Sequence, residues 1–169
     1  DEKAGVLWVC ASASGGRNGA PFVGETALKA FNLKDASLKA SYAFPGNGLC
    51  NDIAVAKGGT VYAADTTLAR VLRLKKGATA LDVFAADPML LATADGLALL
   101  DDGNLYVNSV GQGTLNRIDI NKDGSAGKIT KRLALIDGQN VVYCQHVLEG
   151  FTGRFPLGHH ATLAMPEAQ

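Results

Sequence analysis

This sequence has no excess of either charge. Its 169 residues hold 16 Lys and Arg against 16 Asp and Glu, a net charge of zero. That balance argues against the basic footprint of a nucleic-acid binder and against a polybasic membrane patch. Long apolar runs are lacking too. Hydrophobic residues make up 47% of the chain, yet no stretch approaches the roughly 20 residues of a membrane span. No Cys-x-x-Cys pair and no clear His/Cys metal spacing occur, which argues against a structural zinc. His159 and His160 are adjacent and would point to opposite sides of a strand, so they read as solvated loop histidines rather than a clamp. No signal-peptide pattern opens the sequence, and its first residues leave the compartment unread. The length permits a real core and points to one domain.

What the chain does have is a repeat. Asn51-Asp52-Ile53-Ala54-Val55 returns as Asp95-Gly96-Leu97-Ala98-Leu99, 44 positions on, and more loosely as Asp137-Gly138-Gln139-Asn140-Val141 after a further 42. A period of about 40–50 residues with strand-like content is the mark of propeller blades. Each phrase sets an Asn or Asp at the head of an apolar run. Downstream, residues 58–65 and 101–108 each read as a tight turn into a strand. Alternating third strands follow over residues 69–74 and 114–120, and fourth strands over 79–84 and 127–133. The segment Asn121–Ser125 has turn chemistry and lacks the downstream Glu of a calcium loop.

The chain is therefore expected to be all-β, a β-propeller of four-stranded antiparallel blades. At about 43 residues per blade it holds about four blades' worth of sequence. Residues 1–46 read as a partial blade, 47–90 and 91–134 as full blades, and 135–169 as a degenerate or unassigned one. In the partial blade the second strand falls over residues 3–10, aligning Trp8 with Tyr62 and Tyr106, and its inner strand is missing. Residues 12–26, rich in Gly, Ser and Asn, read as a long loop. Cys10 would end one blade's second strand and Cys50 precede the next blade's inner strand. The pair is either a disulfide, implying an oxidising compartment, or two small buried hydrophobes.

The run from Cys50 through Thr66, with Ala94-Asp95-Gly96-Leu97 and Gly103–Asn108, resembles the senescence-marker-protein/gluconolactonase (regucalcin-like) family over roughly residues 5–135. That resemblance implies a six-bladed ring, of which this chain is an incomplete part. It also implies one divalent cation at the channel mouth, calcium by preference, with zinc, magnesium or manganese as alternatives. The activity implied is hydrolysis of sugar lactones or related esters. Carried over by motif, Asp95 and Asp137 are metal ligands and Asn51 touches substrate. The family's first-blade Glu has no counterpart here.

The residue types suit this chemistry. Carboxylate and amide oxygens hold calcium, and Asp137 is the candidate base for the attacking water. Asp65 and Asn108 end the second strands, where they would either line the substrate rim or start the next turn. Strand-leading Asn and Asp also serve as plain turn residues. The alternative function is a non-catalytic propeller scaffold of the NHL or strictosidine-synthase-like kind. The partner expected is a small lactone or ester, with no nucleic acid and no membrane. Self-association is expected if the ring is open, in a periplasmic or secreted setting, with the cytoplasm as the alternative.

Overall fold

The computed structural model describes residues 1–13 and 24–132. Within them all the regular structure is β except one 3-10 turn, Val110–Gln112. Eleven strands form three antiparallel sheets. The first joins β1 (Val6–Ala11), β2 (Ala27–Asn32) and β3 (Leu38–Ala43). The second joins β4 (Cys50–Val55), β5 (Val61–Asp65), β6 (Arg70–Leu74) and β7 (Asp82–Ala86). The third joins β8 (Ala94–Leu99), β9 (Leu105–Ser109), β10 (Thr114–Ile120) and β11 (Ala126–Arg132). Each sheet is a meander, its strands paired in chain order. The described sheets do not close into a ring.

The middle sheet is covered on both faces. Val61, Ala63, Leu72 and Leu74 form one apolar cluster with Leu28 and Phe44 of the first sheet's side. Tyr62, Ala64, Val71 and Phe84 form another with Leu105, Val107 and Ile118 of the third. All five residues of β5 are therefore buried, whereas β3 alternates between exposed and half-buried. A strand with both faces covered reads as a continuous apolar run, and one with a wet face alternates.

Two expected strand starts move. The first strand begins at Val6, not Lys3, because residues 2–5 form a turn, with the Gly5 amide donating to the Glu2 carbonyl. The fourth strand of the second sheet begins at Asp82, not Thr79, after a turn closed by the Ala78 amide on the Lys75 carbonyl. Asp82 meets Arg73 there, with Nε–Oδ1 at 3.0 Å and Nη2–Oδ2 at 2.6 Å. Arg73 also lies 5.2 Å from the Phe84 ring centroid and donates to the Gly124 carbonyl of the third sheet. Phe84 in turn packs edge-on against Tyr62 at 4.9 Å.

The Arg73 hydrogen bonds hold the Asp82 carboxyl below its usual range. A depressed carboxyl stabilises the fold above the unfolded-state value, near 4, and loses that contribution as pH falls through the folded value. Asp82→Asn is thus expected to flatten the acid limb of a stability–pH curve below about pH 4. Urea melts across that range check it, and parallel curves for both proteins would rule the pair out as an acid sensor.

Candidate functional site

The two heads of the repeat sit on matching β-bulges. In the second sheet Cys50 pairs with Asp65 and Ile53 with Ala63, so Asn51 and Asp52 together face one residue. In the third, Ala94 pairs with Ser109 and Leu97 with Val107, so Asp95 and Gly96 together face Asn108. A bulge re-aims side chains that a regular ladder would point into the core. Asn51 is exposed and Asp95 half-buried, each at the start of its sheet's first strand.

A hydroxyl stitches each sheet to the head of the next. Thr66 Oγ1, just after β5, donates to the Ala94 carbonyl at 2.6 Å and accepts from Asn51 Nδ2 at 3.1 Å. Ser12 Oγ, just after β1, donates to the Cys50 carbonyl at 3.0 Å. The same bond in the same place shows that β1 matches β5 in position, and among the described residues no strand pairs with the other edge of β1. One hydroxyl thus links Asn51 to the backbone adjoining Asp95. The Asn51 amide nitrogen faces Thr66, which leaves its carbonyl oxygen uncommitted. No described residue bonds the Asp95 carboxylate.

Asp52 is the residue that sequence reasoning missed. Its Oδ2 accepts the Leu97 amide of the next sheet at 2.7 Å. Asn108 Oδ1 accepts the neighbouring Gly96 amide. A Cβ at Gly96 would lie 2.8 Å from Asn108 Oδ1, so a side chain there would push Asn108 off the bulge amide. The signal for Asp52 was the carboxylate directly after Asn51, at the position whose counterpart in the third sheet is this glycine.

Asp65 is corrected as a rim residue. It is fully buried, and its carboxylate accepts from the Leu49 amide at 3.0 Å, the Leu68 amide at 3.3 Å and Arg70 Nε at 2.8 Å. It is also not the counterpart of Asn108. In register it matches Ser109, so Asp65 and Asn108 point to opposite faces of their sheets. Asn108 stays at the site, with Oδ1 already committed to the bulge. Asp137 lies outside the described residues.

Cys10 and Cys50 form a disulfide, Cα to Cα 5.3 Å, that ties β1 to β4. In the next pair of sheets the matching residues are Ala64 and Ala94, both buried in one cluster. Among the described residues no three His, Cys, Asp or Glu side chains are grouped to hold a metal. The donors present, Asp95 and Asn51, are hard oxygens. They suit calcium rather than zinc but fall short of the usual 6–8 ligands. Compared with known family models and curated proteins, the chain matches none.

Proposed function

We propose that the three sheets are consecutive blades of a six-bladed propeller, and that the chain is an incomplete part of a metal-dependent hydrolase acting on sugar lactones or related esters. The observation that carries this reading is the repeated bulge, which brings Asn51 and Asp95 to matching positions at one end of adjacent sheets. Bulges concentrate beside functional sites, and this one recurs at both heads. Asp95 supplies the charged oxygens for one divalent cation, calcium by preference. Asn51, steered by Thr66, presents its amide oxygen to substrate or water. Asp52 and Asn108 hold the bulge amides and so position these two. In this reading Asp137 completes the donor set and takes the proton of the attacking water. The cation, when bound, polarises the lactone carbonyl. The Cys10–Cys50 bridge supports an oxidising, extracytoplasmic setting.

A non-catalytic binding scaffold is the second reading. It is favoured by the commitment of Asp52 and Asn108 to backbone amides, which is what a purely structural bulge needs. Calorimetric calcium titration, paired with hydrolysis of a simple sugar lactone, separates the two. Asp95→Ala is expected to weaken calcium at least tenfold. Asn51→Ala is expected to leave calcium within about threefold while lowering lactone turnover, because a neutral amide contributes less to holding a dication. Equal calcium affinity in wild type and Asp95→Ala would make Asp95 a turn residue and the scaffold the surviving reading.

A further inference from the structure

The far end of β4 carries a second feature. From the head residue Asn51, strand β4 runs on to Val55, a span of about 13 Å at the usual rise per residue. At Val55 a groove of about 670 Å³ opens between the first two sheets, lined by Lys3, Lys57, Lys76 and the Gly58-Gly59 turn. It continues into a recess of about 430 Å³ walled by Trp8, Tyr42, Lys39 and Lys75. We propose that this groove binds an acidic saccharide, an anionic sugar whose ring rests on the Trp8–Tyr42 wall while the lysines hold its charged groups.

Three observations carry it. The first is uncompensated charge. No lysine forms an ion pair among the described residues. The one carboxylate lining the groove, Asp1, accepts the Ala4 amide at 3.0 Å. Lys75 at the rim is the most nearly neutralised, since Asp82 and Asp123 both feel its charge. Lys3, Lys57, Lys76 and Lys39 remain.

The second is that the fold does not demand these lysines. Three equivalent turns recur, each closed by a glycine amide bonding the carbonyl three residues back: Gly5 to Glu2, Gly59 to Ala56, Gly103 to Leu100. All three glycines have positive φ. The residue two before each glycine is Lys3, Lys57 and Asp101. The turn works with either sign, so lysine is a local choice at the two turns that line the groove, and Lys57 also borders a cavity of about 480 Å³ toward the third sheet that Asp101 shares. Zero net charge over the whole chain hides this separation.

The third is the wall. Trp8 and Tyr42 lie 6.1 Å apart between centroids, their planes tilted by 36°. Trp8 Nε1 is buried with no hydrogen-bond partner. Lys76 is seated rather than free, because its methylene chain lies over Gly59, where a Cβ would meet its Cδ at 3.3 Å. An aromatic wall beside seated ammonium groups suits a ring that carries anions better than a bare ion, which gains nothing from the rings.

Trp8 is the sole tryptophan, so its emission reports the groove directly. Titrating the full chain with a polysulfated sugar and with an oligogalacturonate distinguishes sulfate from carboxylate as the charge recognised. Saturable change in Trp8 emission with either supports the proposal. Neutral maltose and inorganic sulfate should act at least tenfold more weakly. The double variant Lys57→Glu, Lys76→Glu should lose at least tenfold in affinity, while Lys128→Glu on β11 should change it less than twofold. Thermal melts confirm that the variants fold. Retained affinity in the double variant, or inorganic sulfate binding as tightly as the sugars, would overturn it. The calcium reading at the opposite end stands or falls on its own titration.

Discussion

Replacing Cys10 and Cys50 together by alanine is expected to cost about 4 kcal/mol of stability. The bridge spans 40 positions of sequence, and closing a loop of that size removes chain entropy of this order from the unfolded state. It also joins β1, which has no inner strand beside it among the described residues, to the head of the second sheet. Alanine is the right replacement because Ala64 and Ala94 fill the matching place between the next two sheets. The residual cost of the substitution itself should therefore be small. Urea melts of wild type, the double variant and the reduced wild type measure it, and the last two should agree. A thiol count on the unfolded, unreduced chain should find one free thiol, Cys144. Three free thiols, or melts that coincide with and without the bridge, would remove both the disulfide and the case for an oxidising compartment.

Asp65→Ala is expected to cost about 3–5 kcal/mol, the range for removing one partner of a buried ion pair. The carboxylate is the hub of the corner between β4 and β6. It takes two backbone amides and the Arg70 guanidinium, whose side chain is itself only 12% exposed. Arg70 in turn donates to the Pro45 carbonyl, so the chain entering β4 is fixed through the same pair. Gly48 is glycine for this reason, since a Cβ there would fall within the carboxylate. Truncation strands two amides and a cation away from water. The double variant Asp65→Ala, Arg70→Leu should recover part of the loss, because it removes the stranded charge. Melting temperatures read both effects, with a fall of roughly 10 °C for the single variant. A fall within 2 °C would mean that solvent already reaches the pair.

These two variants also separate structure from function. Asp65 and Asp95 look alike in sequence, each an aspartate at a strand end. One organises a corner and the other sits half-buried on a bulge. Calcium binding should follow Asp95 alone, once the loss of stability in the Asp65 variant is allowed for.

Much of the architecture was legible in the sequence because it repeats. Strand period, turn glycines and the 44-residue spacing of Asn51 and Asp95 are local properties, and each sheet is a local meander built from neighbours in the chain. Local signals of this kind are set by backbone stereochemistry and side-chain alternation, which act over a few residues. The all-β class, the antiparallel meander of each sheet and the equivalence of Tyr62 with Tyr106 followed from them. The tertiary structure decided what depends on phase and on distant partners. A one-residue shift in register turned Asp65 into a buried hub and left Asn108 at the site, because successive residues of a strand point to opposite faces. Asp52 acquired its role from an amide 45 positions away. The lysines of three separate turns acquired theirs only when the first two sheets faced one another. Charge written evenly along the chain became uneven in space, because folding sorts residues by position in the sheet and not by order in the sequence.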